Sequence, residues 1–423
     1  MQTALPEELL ATPDGAEADA ILRKCVHCGF CTATCPTYQL LGDERDGPRG
    51  RIYLIKGLLE GVAEGAATRP HLDRCLTCRA CETTCPSGVQ YGRLLDIGRA
   101  HLERKSVRPP SSRVIRWLLR RTLPRRAWFG AAMRLAQRLR PIMPAALRRK
   151  VPVFVEQETW TAPSRARRML LLQGCVQPAL APSINRATAR VLDAVGIQAI
   201  EIEQETCCGA LSHHLAATDE ALVFARRNID AWWPQVEAGA EAIVVTASGC
   251  GTMVKEYGHL LRHDAAYAEK AARISALCRD PIEVLAAEDL SFAANAPDST
   301  IVFHPPCSLQ HGLKLAGRTE QLLTRVGYRL GEIRDSHLCC GSAGSYSILQ
   351  PRIARELRGR KISNLLASSP SLIATANIGC LSFLQEVSPV PVRHWIEQLA
   401  DALPINTSAT LPVDIDLGAT GEQ

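Results

Sequence analysis

Two copies of one short cysteine string constrain this chain more than anything else in it. The first runs Cys25-Val-His-Cys28-Gly-Phe-Cys31-Thr-Ala-Thr-Cys35-Pro36, and the second Cys75-Leu-Thr-Cys78-Arg-Ala-Cys81-Glu-Thr-Thr-Cys85-Pro86. Both read C-x2-C-x2-C-x3-C-P with the same spacing. Paired C-x2-C knuckles often hold structural zinc, which takes four thiolates. Zinc needs neither a third cysteine at a further x2 interval nor the trailing Cys-Pro, and both occur twice. Disulfides fit less well still. The chain has 17 cysteines, yet Met1 to Asp19 is acidic and carries neither the basic nor the apolar part of a secretory signal. Abundant cysteine without secretion points to a reducing compartment and to metal ligation.

The same run is carried by bacterial two-cluster ferredoxins, in which the fourth cysteine ligates the other cluster. On that resemblance Cys25, Cys28, Cys31 and Cys85 hold one [4Fe-4S] cluster, and Cys75, Cys78, Cys81 and Cys35 hold a second. Pro36 and Pro86 keep each fourth cysteine from continuing its own turn. Helices are predicted over 17–23, 51–60 and 91–104; in the second, Ile52, Leu54, Ile55, Leu58 and Leu59 fall largely on one face. Residues 1–103 are therefore expected to form a helical dicluster domain. Arg45, Arg49, Arg51 and Arg79 lie near the clusters in sequence. A cation beside a cluster favours its reduced form, but each arginine reads equally well as a solvated surface charge.

Residues 104–167 differ in character. Between Arg104 and Lys150 there are fifteen Lys and Arg and no Asp or Glu, so the remainder of this +6 chain is net negative. Arg113 to Arg121 and Trp128 to Leu139 have helical spacing with apolar and cationic faces, broken by prolines. Such a segment suits an anionic membrane surface or an acidic partner subunit. It also suits a linker wrapped on the protein's own acidic remainder; nucleic acid is not expected. No apolar run approaches the length of a bilayer span. The expected location is cytoplasmic, free or peripheral at the inner face of the cell membrane.

From residue 168 the chain repeats itself. Cys175, Cys207-Cys208-Gly209 and Cys250 recur as Cys307, Cys339-Cys340-Gly341 and Cys380, at offsets of 132, 132, 132 and 130. In the first copy strands are predicted over 168–174, 197–202 and 242–247, with helices over 183–195 and 219–237. That alternation implies a parallel-sheet α/β unit in each copy, over 168–290 and 298–403. Binding sites of such sheets lie at the carboxyl edge, where four cysteines converge per copy: Cys175, Cys207, Cys208 and Cys250, then Cys307, Cys339, Cys340 and Cys380. They are candidates for an additional iron–sulfur or metal site, or are buried thiols left by duplication. Cys278 has no counterpart and reads as core. His213, His214, His304, His311, His337 and His394 read as satisfied structural histidines, although His304, three residues before Cys307, is placed to bond a cluster or a quinone-like acceptor. Residues 404–423 read as a mobile tail.

The twin strings followed by two Cys-Cys-Gly repeats resemble a family of iron–sulfur subunits of flavin-linked dehydrogenases and of heterodisulfide reductase. The stretches Gly42-Asp-Glu-Arg-Asp-Gly-Pro-Arg-Gly-Arg-Ile-Tyr-Leu54 and Pro86-Ser-Gly-Val-Gln-Tyr91-Gly-Arg-Leu-Leu-Asp-Ile-Gly98 make the likeness strongest to glycolate oxidase (glycolate dehydrogenase) iron–sulfur subunits. The resemblance implies an electron-transfer subunit with two [4Fe-4S] clusters that is not catalytic alone. It would take electrons from FAD-containing subunits oxidising glycolate to glyoxylate and pass them to a respiratory acceptor, with membrane-surface or quinone contact. The same relay would serve a lactate or glycerol 3-phosphate dehydrogenase. The heterodisulfide reductase branch ends each repeat in C-x2-C; here Met253 and Phe383 stand at that last position, so its fifth thiolate is not carried over. A third class, a zinc-stabilised docking scaffold, would carry zinc and little iron. No glycine-rich dinucleotide string opens a helix after a strand.

Overall fold

The computed structural model of the chain describes residues 1–154, 163–291 and 299–403; the expected tail, 404–423, lies outside them. Thr12 opens the helix Pro13–Lys24 by accepting a hydrogen bond from the Gly15 amide, and a proline in the first turn forfeits no helical bond. Pro48 starts Pro48–Leu59 in the same position. Both helices begin earlier than their apolar pattern indicates, because that pattern does not register a first-turn proline. Ile52, Ile55, Leu58 and Leu59 face Leu94, Leu95 and Leu102 of the helix Tyr91–Lys105. Gly98 lets that helix approach: a methyl there would stand 2.9 Å from the Ile55 side chain. This helical core underlies both cysteine strings.

The basic segment forms two helices, Pro110–Thr122 and Arg126–Leu139, neither of which buries a residue. Part of its charge is answered within the chain: Arg108 and Arg116 both reach Asp73, and Arg120 reaches Glu220. Its apolar residues are left in the open, with Trp117 51% and Trp128 71% exposed beside Val114, Leu135 and Leu139. Among the described residues no helix is long and apolar enough to cross a membrane.

The repeats each carry a four-stranded parallel sheet. In the first the order is β2-β1-β3-β4, from Arg167–Leu171 (β1), Ile197–Ile200 (β2), Ile243–Val244 (β3) and Cys278–Arg279 (β4). In the second it is β6-β5-β7-β8, from Thr300–His304 (β5), Arg329–Leu330 (β6), Leu372–Thr375 (β7) and Val392–His394 (β8). Parallel neighbours need crossover helices, which Ser183–Ala194 and Thr218–Glu237 supply in one copy and Arg318–Arg325 and Pro351–Leu366 in the other.

The two copies share one core. Met169, Leu171 and Val244 of one sheet and Ile301, Phe303 and Ala374 of the other pack in a single cluster with Trp395 and Leu399. Polar contacts pin the seam: His394 Nε2 lies 3.0 Å from the Thr246 carbonyl, and the Ser248 and Ser308 hydroxyls are 2.7 Å apart.

Candidate iron-sulfur sites

The two ferredoxin loops have one backbone conformation. His27 and Gly29 flank Cys28 at φ 57° and 83°; Thr77 and Arg79 flank Cys78 at 56° and 60°. A left-handed non-glycine residue costs about 1–3 kcal/mol and persists only where its surroundings demand it. Here the loop must curl its cysteines onto one point. One bay is lined by Cys25, Cys28, Cys31, Cys81 and Cys85, the next by Cys35, Cys75, Cys78 and Cys81, so Cys81 borders both. Cys85 of the second string thus lies with the first string's cysteines, and Cys35 of the first with the second's. Burial pushes the Cys31 thiol up to about 11 and those of Cys78 and Cys81 well above their usual value. Thiols so placed become ligands only where a cation takes the proton's place. The cysteine sulfurs gathered around each bay fit an iron–sulfur cluster.

Several groups around the second bay act on its sulfurs. The Tyr91 hydroxyl lies 3.6 Å from Cys75 Sγ and the Thr37 hydroxyl 3.3 Å from Cys35 Sγ. Arg51 is fully buried beside Cys75 and Cys35, donates to the His71 carbonyl at 2.8 Å, and pairs with Asp46 at 3.5 Å. Arg79 lines the same bay and pairs with Glu256 of the first repeat at 3.0 Å. Arg49 sits at the first bay, donating to the His27 carbonyl. Arg45 pairs with Asp43 on the surface and lines neither bay. Of the four arginines, three adjoin a bay and one is a solvated charge. Thr37 has no signal in the sequence, since its contact depends on the turn after Cys35.

The bays differ in access. Around the first, Cys28 is exposed, as are Val26 (66%), Phe30 (61%) and Tyr53 (61%). The second is covered by the second repeat. Leu76 and Cys78 pack into one apolar cluster with Cys307, Cys339, Tyr346, Ile353 and Leu357. The Tyr346 hydroxyl donates to the Arg74 carbonyl at 2.9 Å, and the Thr83 hydroxyl meets His311 Nδ1 at 2.9 Å.

The repeat cysteines gather at the carboxyl edges of the two sheets. Cys175 follows β1, the pair Cys207-Cys208 follows β2, and Cys250 lies in the helix Ser248–Lys255 after β3. Their sulfurs interact in sequence, Cys175 with Cys207 and Cys208 with Cys250. In the second copy Cys307 and Cys339 stand 3.9 Å apart and Cys340 and Cys380 3.3 Å apart. Gly209 and Gly341 turn the paired cysteines at φ 87° and 89°, each offering its amide to the first sulfur of its pair, Cys207 at 3.5 Å and Cys339 at 3.4 Å. A methyl at Gly341 would stand 2.5 Å from the Ala354 carbonyl oxygen. Four thiols, buried or half-buried, gather at each sheet edge, as a metal centre would need. Cys278 is buried in the core with only a carbonyl nearby.

The histidines divide. His213 bonds Asp96, His311 bonds Thr83 and the His337 carbonyl, and His394 caps the helix Trp395–Asp401. The expectation of a satisfied structural histidine fails at His304. It is 1% exposed, and neither ring nitrogen has a hydrogen-bond partner among the described residues. Its ring lies with the Cys340 and Cys380 sulfurs, one donor atom from each within 4.8 Å of the others. Sequence adjacency to Cys307 hinted at the place but not at the missing partners.

Known proteins share these features. The family described as 4Fe-4S dicluster domain matches residues 21–89, and that described as Cysteine-rich domain matches 169–255 and 301–385. The glycolate oxidase iron-sulfur subunit of Escherichia coli is 53% identical over 404 residues, covering 95% of this chain and 99% of that one. The probable glycolate oxidase iron-sulfur subunit of Bacillus subtilis is 30% identical over 85% of this chain and 87% of its own. Lactate utilization protein A of Exiguobacterium is 25% identical, covering 54% of this chain and 95% of its own. With twin cysteine strings over a helical core, two cysteine bays on parallel sheets and relatives alike over nearly the whole length, the chain belongs to the glycolate oxidase iron–sulfur subunit family.

Proposed function

We propose that this chain is the electron-transfer subunit of a flavin-dependent glycolate dehydrogenase complex and has no catalytic site of its own. Iron–sulfur clusters, when bound, supply one-electron transfer. Cys25, Cys28, Cys31 and Cys85 hold the first [4Fe-4S] cluster and Cys75, Cys78, Cys81 and Cys35 the second. The repeat cysteines hold further iron–sulfur centres. The observation that supports this reading most is that Cys78 packs in one cluster with Cys307 and Cys339, so that the proposed second cluster would stand beside the second repeat. The exposed collar of Val26, Phe30 and Tyr53 around Cys28 suits the FAD-containing partner subunit. The acceptor lies on the respiratory side, and the basic helices dock the subunit at the inner face of the membrane.

The test is purification of the native complex with iron count, visible spectrum and a screen of 2-hydroxy acids. Iron with brown absorbance and glycolate-dependent reduction are expected; zinc with little iron would refute the relay. Cys35→Ser should abolish the EPR signal of the second cluster and spare the first. Loss of the first alone would refute the crossed ligation. The likeness to lactate utilization protein A over 54% of this chain favours lactate as the second substrate to screen.

A further inference from the structure

The repeats match at an offset of 132 residues, so positions in one bay have counterparts in the other. Among the buried positions that differ between the copies, two bear on the cysteines. Leu172, just past β1, stands where the second copy has His304, and Ile229 stands where it has Lys361. A purely apolar pair in one bay has become an imidazole and an ammonium in the other.

Both changes are costly unless something answers them. Leaving a buried polar group unpaired costs about 1–3 kcal/mol, and His304 has two such nitrogens with no partner among the described residues. Its ring lies instead with the Cys340 and Cys380 sulfurs, themselves 3.3 Å apart. Lys361 donates to the carbonyls of Asp335 at 2.7 Å and Ser336 at 3.4 Å, with its charge directed at the sulfur cluster. A buried cation that interacts with Cys339, Cys340 and Cys380 is understandable if those thiols are thiolates. The residue three past Cys380, Phe383, cannot supply a fifth donor; its ring carries the Arg358 guanidinium at 4.3 Å.

We propose that His304 is a ring-nitrogen ligand to iron in the second cysteine-rich repeat, completing with Cys307, Cys339, Cys340 and Cys380 a five-donor set that the first repeat lacks. The proposal rests on the reading that this repeat holds an iron–sulfur centre. Neutral imidazole adds a donor without adding negative charge, and histidine ligation raises the potential of an iron–sulfur centre relative to all-thiolate ligation. With Lys361 acting in the same direction, the second repeat is the more easily reduced of the two. It is also the one that touches Cys78.

The test uses the intact complex, labelled with 14N- or 15N-histidine, with iron count, pulsed EPR and a redox titration. Iron in excess of the two ferredoxin clusters is expected, with a histidine-nitrogen coupling on one of the additional centres. His304→Leu, the residue of the first repeat, should abolish that coupling. His304→Cys should keep the iron, abolish the coupling and shift the potential of that centre downward. Extra iron with no nitrogen coupling, or coupling and potential unchanged in both variants, would overturn the histidine ligand and leave the cluster intact. Iron no greater than the two ferredoxin clusters require, or zinc in the repeat, would overturn the cluster and the ligand together.

Discussion

Tyr91 offers the second bay a hydroxyl 3.6 Å from Cys75 Sγ, in a setting closed to water. Hydrogen bonds to cluster sulfur raise a potential by stabilising the reduced, more negative state. A bond of about 1 kcal/mol corresponds to about 40 mV for one electron. Tyr91→Phe should therefore lower the potential of the second ferredoxin cluster by roughly that amount with iron retained, as read by EPR-monitored titration. Gly341 belongs to another kind of constraint. At φ 89° with a carbonyl 2.5 Å from any added methyl, Gly341→Ala should cost about 1–3 kcal/mol of stability or more, seen as a lowered Tm. The cysteines were legible in the sequence because their spacing is a local, covalent fact. Tyr91 and Lys361 were not, because each meets its surroundings only after segments apart in sequence have packed, and Thr37 was not, because its contact depends on the turn after Cys35. His304 lies between these cases: its position was readable, its lack of partners only in the fold.

At the scale of elements, apolar periodicity located the longer helices of the helical block, the basic segment and the first repeat, and three of that repeat's four strands, with ends shifted by a few residues; the short helices beside the cysteines and β4 carried no such pattern. The basic helices show where pattern alone stops. Their amphipathic spacing was plain, but Arg116 and Arg120 turn inward to Asp73 and Glu220 while both tryptophans stay outside. Wrapping on the protein's own acids and an uncovered apolar face are both present, on different sides. If that face meets lipid, the complex should float with vesicles containing phosphatidylglycerol and less so in high salt, since the attraction is screened. Trp128→Ala with Leu135→Ser should weaken vesicle binding roughly ten-fold or more, about 1.4 kcal/mol or greater. Equal flotation with neutral vesicles, or no change in the double variant, would remove the membrane from the account.

Over the whole molecule, the helical block grips the repeats through charges as well as apolar contacts. Asp96 and His213 meet at 3.1 Å across that seam. Burial pushes the Asp96 carboxyl up, yet His213 and His214 hold it well below the usual range; burial pushes His213 down, yet Asp96 raises it. Stability from His213 is full below its unfolded pKa of about 6.5 and is lost as pH rises through its raised folded value. Stability from Asp96 is present above about 3.8 and is lost as pH falls through its depressed value. Seam protection in hydrogen exchange over residues 91–105 should therefore fall as pH rises above the neutral region, and His213→Leu should flatten that dependence. The same seam has a consequence for biogenesis. Leu76 is buried and Cys78 half-buried beneath Tyr346, Ile353 and Leu357, so closing the block narrows access to the second ferredoxin bay. The expected order of maturation is cluster insertion first and closure after. In an iron-starved cell the chain should persist as an open form, cut by protease between the helical block and the repeats, while the loaded chain resists.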